Sequence, residues 1–229
     1  MEKGMLYGVG VGPGDPELLT IKASNILRAA DVVAAPRTEG GGQAALDIAA
    51  PYIQGKPVLY CAAPMSRDRS AALASYREAA REICSLLDRG KTVAFLTLGD
   101  PTVYSTYMNV HRMVREAGYE AALIPGVPSF CAAAARLGIS LCEGSERLLI
   151  VPAGYPGLEE SLDVDANKVL MKAGRSLPAL RDLLEKRGEL ENASLAANCG
   201  MDGEVILPRL ADLTGPTGYF SLVVVRPPR

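Results

Sequence analysis

Residues 7–20 have the sequence YGVGVGPGDPELLT, and their pattern is the strongest indication of the fold. The stretch continues a short apolar run typical of a strand and leads into a segment with helical periodicity. Its four glycines stand at alternate positions, where they let the backbone turn sharply and approach a ligand closely. Asp15 is a favourable N-cap, and Pro16 suits the first position of a helix. A strand, a glycine loop and a capped helix together predict a small-molecule site at the carboxyl end of a sheet.

The glycine spacing does not fit the common nucleotide-binding motifs. A dinucleotide fingerprint that starts at Gly8 has Pro13 at its third glycine, and one that starts at Gly10 has Asp15 there. An acidic residue at a helix N-terminus also repels a pyrophosphate. The GKT at 90–92 lacks the first glycine of a P-loop and precedes a strand-like run. The loop therefore suits a ligand that is not a polyphosphate.

Two further segments repeat this arrangement. The apolar run at 92–97 is followed by LGDPT at 98–102, and the run at 121–124 is followed by PGVPS at 125–129. Both loops combine glycine and proline at the end of a predicted strand. Three such loops in one half of the chain predict one composite pocket.

The composition is that of an ordinary globular protein. Of its 229 residues, 48% are hydrophobic and 22% are charged. No apolar run approaches the ~18 residues of a membrane span, and the first residues lack a signal-peptide core. The five cysteines form no Cys-x-x-Cys pair, which suggests reduced thiols. We therefore expect a cytoplasmic protein that does not interact with membranes.

The net charge argues against a nucleic-acid-binding protein, and the scarcity of histidine and clustered cysteine argues against a metal site. The net charge of −2 disfavours a nucleic-acid binder, which would carry an excess of lysine and arginine. With a single histidine and no clustered cysteines, we expect no dedicated protein metal site.

The order of predicted elements indicates an α/β fold. Strands are predicted at 5–11, 31–35, 57–61, 92–97 and 120–124, and helices at 17–30, 43–52, 70–87 and 103–117. This alternation is typical of a mainly parallel sheet with helices on both faces. The second part has predicted strands at 147–152, 168–171, 193–197, 204–207 and 219–225 and helices at 129–137 and 176–186. Its last three strands suggest a mixed sheet. We place the boundary between an N-terminal lobe, 1–125, and a C-terminal lobe, 126–229.

The three loops resemble the signatures of a known family. The segments VGVGPGDPELLT at 9–20, GDP at 99–101 and PGV at 125–127 are similar to the three motifs of the tetrapyrrole methylases, the S-adenosylmethionine-dependent enzymes of sirohaem and cobalamin synthesis. The resemblance covers essentially the whole chain. It implies a two-lobed tetrapyrrole methylase fold, a substrate trough in the N-terminal lobe, a cofactor in the cleft between the lobes and a homodimer.

One branch of the family is the most similar. The segments GDPTVYSTY at 99–107, YGVG at 7–10 and APR at 35–37 resemble the methyltransferases that act at carbon 20 of precorrin-2 or cobalt-factor II. The resemblance therefore implies methyl transfer to that carbon in cobalamin biosynthesis. The alternatives are a methylase of the same fold with another target (a different corrin carbon, diphthine or an rRNA ribose) and a non-catalytic sensor that binds a nucleotide or a tetrapyrrole.

The resemblance also assigns the cofactor contacts. They are Pro13, Leu98, Gly99, Asp100, Val103, Pro128 and Ser129, with Lys172, Ala197 and Ser221 from the second lobe. Position 172 departs from the methionine of some relatives. Simpler roles are open for several of these residues: Asp100 as a cap, and Pro128 and Ser129 as the start of a helix.

A tetrapyrrole bears many carboxylates, so arginines should face it. Arg37 and Arg67 follow predicted strands at their carboxyl ends and are our candidates, although each is equally compatible with a solvated loop. Asp15 is a further candidate substrate contact as well as an N-cap.

The catalytic group is not identified by the sequence. Tyr104, Tyr107 and His111 follow the second motif at i, i+3 and i+7, so a helix through them would present all three on one face. They are candidates for lining the substrate or moving a proton, and packing is the competing role for each.

Overall fold

The computed structural model describes residues 3–37, 41–62 and 69–227. Contacts divide the chain into two compact units, Met1–Pro128 and Ser129–Arg229, and the predicted boundary lies three residues before this division. None of the helices in the described ranges has the length and apolar character needed to cross a membrane.

The first unit contains a five-stranded sheet. Its strands are β1 (Met5–Gly10), β2 (Val32–Arg37), β3 (Val58–Ala62), β4 (Val93–Thr97) and β5 (Glu120–Ile124). The spatial order is β3-β2-β4-β1-β5, and every pairing is parallel. The predicted parallel sheet is confirmed. All five strands therefore end at the same edge, where ligands bind in open α/β sheets.

Helices cover both faces of this sheet. They are α1 (Ile21–Ala29), α2 (Gly41–Ala49), α3 (Arg69–Leu87) and α4 (Tyr107–Glu116). Successive strand residues point to opposite faces, so Val9 and Leu96 pack with α1 and α2, whereas Leu6 and Phe95 pack with α3 and α4. Two apolar cores result, one on each face of the sheet.

The second unit contains a mixed sheet. Its strands are β6 (Leu148–Pro152), β7 (Asn167–Met171), β8 (Ala193–Ala197), β9 (Val205–Leu207) and β10 (Ser221–Val225), in the order β6-β7-β10-β8-β9. The β6–β7 pairing is parallel, and the others are antiparallel. Its helices are α5 (Ser129–Leu137), α6 (Leu158–Leu162) and α7 (Leu177–Lys186). The predicted mixed sheet is confirmed, although the short helix α6 was not predicted.

Two predicted helix starts are wrong. Asp15 does not cap α1. It caps the short 3-10 turn Pro16–Leu18, and the hydroxyl of Thr20 caps α1 by accepting a hydrogen bond from the Ala23 N–H. The helix predicted from 103 begins only at Tyr107, because Tyr104 has a left-handed backbone (φ 47°) that interrupts a helix.

Candidate functional site at the carboxyl edge of the first sheet

The loops after β1 and β4 are joined directly through their backbones. The Gly12 N–H donates to the Gly99 carbonyl at 3.3 Å, and the Gly99 N–H donates to the Gly12 carbonyl at 2.7 Å. Both glycines have a positive φ, 82° and 73°, which residues with a side chain rarely adopt. The first and second motifs therefore form a single backbone structure beyond the ends of the two strands.

The third loop joins them at a crossing of three glycines. A Cβ on Gly10 would lie 2.6 Å from the Gly126 nitrogen and 2.7 Å from the Gly99 oxygen. A Cβ on Gly126 would overlap the same Gly99 oxygen. Gly10 and Gly126 therefore exclude any side chain, because the backbones of Gly10, Gly99 and Gly126 are in van der Waals contact. The three motifs are adjacent in space, as the sequence predicted.

Asp100 holds the second and third loops together. Its Oδ1 accepts hydrogen bonds from the Thr102 N–H at 2.8 Å and from the Thr102 hydroxyl at 2.5 Å. Its Oδ2 accepts from the Gly126 N–H at 3.0 Å. The side chain is buried at the edge of the sheet. A buried carboxylate needs such donors, and here they come from two separate loops.

The cofactor candidates of the first unit all lie in these three loops. Pro13 is buried, Leu98 and Val103 are half-buried, and Pro128 ends the third loop. The Val103 N–H donates to the Asp100 carbonyl at 3.3 Å, which continues the turn that follows β4. The structure places this set together, whereas its contact with a cofactor stays a prediction.

The remaining cofactor candidates belong to the second unit. Ser129 begins α5, and Lys172, Ala197 and Ser221 lie at one edge of the second sheet. Ala197 and Ser221 are register partners, and the Ala173 N–H donates to the Ser221 carbonyl at 2.9 Å.

The backbone at this second edge has unusual conformations. Lys172 and Asn198 both have left-handed backbones, with φ of 57° and 49°. The Ser221 hydroxyl donates to the Gly218 carbonyl at 2.7 Å, so it is already bound within its own loop. Residues held in sparsely populated conformations concentrate at binding sites. Asn198 was not singled out from the sequence, where an asparagine after an apolar strand is the only signal.

The substrate candidates have different positions. Arg37 is the last residue of β2 and is exposed at the carboxyl edge. Asp15 is half-buried and accepts a hydrogen bond from the Glu17 N–H at 2.8 Å, which gives it at least the capping role. Arg67 lies outside the described residues.

The three catalytic candidates do not share one helical face. Tyr104 precedes α4 and is 46% exposed, because its left-handed backbone separates it from the helix. Tyr107 is buried, and its ring packs against Gly8 and lies 4.9 Å from the Phe95 ring. Its Oη lies 3.1 Å from Nδ1 of His111. The predicted common face is therefore wrong for Tyr104.

Burial governs the titration of the Tyr107–His111 pair. It raises the pKa of the Tyr107 hydroxyl far above its usual value. It also lowers the pKa of His111, and the charges of Arg115 and Arg112 lower it further. Both shifts favour the neutral forms of the two side chains.

Comparisons with known proteins identify the family. The model of the Tetrapyrrole (Corrin/Porphyrin) Methylases matches residues 5–214. A probable cobalt-precorrin-2 C(20)-methyltransferase from Methanocaldococcus jannaschii is 33% identical, with 96% of this chain and 95% of that protein covered. The cobalamin biosynthesis protein CobIJ of Mycobacterium tuberculosis is 35% identical over 97% of this chain, which spans only 46% of CobIJ.

A solved structure has the same fold. It is the cobalt precorrin-4 methyltransferase CbiF, with a TM-score of 0.78, 21% identity and coverage of 96% of this chain and 94% of that one. At this identity the similarity establishes the fold. The joined glycine loops agree with the family model, with the relative that is similar over its full length and with the shared fold. The chain therefore belongs to the tetrapyrrole methylases.

Proposed function

We propose that this protein transfers a methyl group from S-adenosylmethionine to carbon 20 of precorrin-2, or of its cobalt-bound counterpart, in cobalamin biosynthesis. The products are S-adenosylhomocysteine, a tetrapyrrole with one more methyl group, and the proton that this methyl group replaces at carbon 20. The carbon-20 position is supported by the full-length similarity to a relative with that name. The observation that carries the proposal is the glycine crossing clamped by Asp100 at the carboxyl edge of the first sheet.

The geometry of this edge fits the methyl donor better than it fits a nucleotide phosphate. Asp100 and Asp15 place carboxylates in the second and first loops, where a sulfonium cation and an ammonium group are favoured. Gly10, Gly99 and Gly126 bring the backbones of the three loops into contact, so the loops can act on one ligand together. Pro13, Leu98 and Gly99 would bind the donor here, and Lys172 and Ser221 are its proposed contacts in the second unit.

The role of the protein in the reaction is alignment. When it is bound, S-adenosylmethionine supplies an electrophilic methyl group that needs little activation. The loops would hold this methyl group in line with the nucleophilic carbon at about 3 Å, and such positioning can lower a barrier by several kcal/mol. A meso carbon conjugated to a pyrrole nitrogen is already nucleophilic, so Tyr107 and His111 are not needed as bases.

Arg37 is the proposed partner of the substrate. Its guanidinium is exposed at the carboxyl edge and can bind a carboxylate in a bidentate manner. Arg67 is proposed for the same role. The family resemblance also supports a homodimer and a cytoplasmic location.

The test is a methyl-transfer assay with two substrates. Purified protein is incubated without oxygen with methyl-labelled S-adenosylmethionine and either metal-free precorrin-2 or cobalt-sirohydrochlorin, and the product is followed by mass. One added methyl group on either substrate, located at carbon 20 by NMR, supports the proposal and chooses between the two routes. If neither substrate is methylated while S-adenosylhomocysteine binds, the carbon-20 assignment is discarded.

A further inference from the structure

Thr97 carries a buried hydroxyl that no group in the described part of the chain binds. It is the last residue of β4 and is only 7% exposed. Its carbonyl accepts a hydrogen bond from the Val11 N–H at 3.0 Å, so its main-chain acceptor is used. Its Oγ1 has no hydrogen-bond partner within 3–37, 41–62 and 69–227. Buried hydroxyls are almost always hydrogen-bonded, and an exception calls for a physical reason.

The side chain of Thr97 points to the face of the sheet on which the three loops cross. Thr97 is the register partner of Gly10 on the adjacent parallel strand, and register partners point to the same face. The Cβ direction of Gly10 leads to the Gly99 oxygen and the Gly126 nitrogen. The Thr97 side chain therefore lies on the side of the glycine crossing. Gly10 beside it has no side chain that could bond to it.

The carboxylate of Asp100, three residues after Thr97, already has hydrogen-bond partners. Both oxygens of Asp100 accept hydrogen bonds from Thr102 or Gly126, which keeps this carboxylate oriented within the loops. A hydroxyl differs from a carboxylate because it can donate to an anion and accept from a cation. Thr97 thus supplies, at the base of the second loop, an uncommitted group able to bind either end of a zwitterion.

We propose that the Thr97 hydroxyl hydrogen-bonds to the amino-acid tail of the bound methyl donor. This inference rests on the proposed function, and it assigns a binding role to a residue outside the three family motifs. The residues that the structure describes leave the hydroxyl unpaired, and the ligand completes its hydrogen bonding. The hydroxyl therefore increases the affinity for the ligand and lowers the stability of the ligand-free protein.

The test compares Thr97→Val with Thr97→Ser. Valine has the same shape without the hydroxyl, so we expect the affinity for S-adenosylhomocysteine to fall roughly tenfold, as for one hydrogen bond to a charged group. The melting temperature of the ligand-free protein should stay equal or rise, because an apolar methyl replaces an unpaired polar group. Serine should keep most of the affinity. Thr214→Val, at an exposed position of the second unit, is the matched control and should change neither quantity.

A second ligand tests which part of the methyl donor the Thr97 hydroxyl binds. 5′-Methylthioadenosine lacks the amino-acid tail, so Thr97→Val and the wild type should bind it equally by calorimetry. Unchanged affinity of Thr97→Val for S-adenosylhomocysteine would overturn the inference, as would an equal loss with both ligands. A lower melting temperature with weaker binding would also overturn it, because it indicates a structural role.

Binding and methylation measured on the wild type test this inference and the proposed function separately. If the wild type binds S-adenosylhomocysteine but methylates neither tetrapyrrole, the carbon-20 assignment fails and the comparison at Thr97 still decides the inference. If the wild type binds no S-adenosylhomocysteine, both are overturned.

Discussion

The Oδ2 atom of Asp100 accepts a hydrogen bond from the Gly126 N–H at 3.0 Å, and this bond joins the loop after β4 to the loop after β5. The other oxygen of the same carboxylate is bound by Thr102. Asp100 was selected from the sequence as a cofactor contact, and the structure adds a second role for it. Its carboxylate fixes the shape of two loops, so the effects of replacing it must be separated into loop stability and ligand contact.

Replacing Asp100 with alanine should lower both stability and cofactor affinity. The change removes three hydrogen bonds to a charged acceptor and leaves the Gly126 N–H without its partner, which should cost about 3 kcal/mol of unfolding free energy. Urea unfolding measures the stability, and calorimetry with S-adenosylhomocysteine measures the affinity. Asp182→Ala, at an exposed position of α7, is the control and should change neither quantity. Equal stability of Asp100→Ala and the wild type would contradict the clamp.

Adding a single methyl group at Gly126 should separate the loops. The Cβ of Gly126→Ala would overlap the Gly99 oxygen and would lie 2.8 Å from the Gly10 carbonyl carbon. Because these are backbone atoms, relief requires movement of a loop rather than of a side chain. We expect S-adenosylhomocysteine affinity to fall at least roughly tenfold, as expected for a misplaced binding site.

Gly215→Ala provides the matched control for that experiment. An added Cβ at Gly215 would have no neighbour within 4 Å, so this variant should bind like the wild type. Wild-type affinity in Gly126→Ala would show that the crossing tolerates a side chain and that the ligand does not depend on it.

Sequence patterns predicted the positions of the three loops better than they predicted the start of the helix beside them. The positions of the three loops followed from glycine and proline after buried strands, because parallel strands bring their carboxyl ends to one edge. The helical spacing of Tyr104, Tyr107 and His111 predicted that all three lie on one helical face, and this was wrong for Tyr104. A tyrosine in the sequence gives no sign that its backbone will be left-handed. The unpaired hydroxyl of Thr97 was not foreseen, since a threonine in a strand is usual and only tertiary packing decides whether it finds a partner.

Tyr107→Phe should leave catalysis largely intact. The Tyr107 ring is buried against Gly8 and Phe95, and its hydroxyl is bound to His111. The variant keeps the ring and loses one hydrogen bond, so we expect a stability loss of about 1 kcal/mol. The rate constant of methyl transfer, measured in single-turnover assays, should stay within about twofold, since phenylalanine preserves the packing volume. A loss of a hundredfold or more would instead make Tyr107 part of the reaction.

Protonation of His111 should destabilise the fold below neutral pH. Burial first, and the charges of Arg115 and Arg112 next, hold the pKa of His111 below its usual value in the folded protein. The unfolded chain therefore binds this proton first as the pH falls below about 6.5, and stability decreases until the folded pKa is reached. His111→Asn removes the titration and leaves an amide that can still bond to the Tyr107 hydroxyl. Urea unfolding at pH 7.5 and pH 5 should show a larger loss of free energy for the wild type than for His111→Asn, and equal losses would assign the acid sensitivity to other groups.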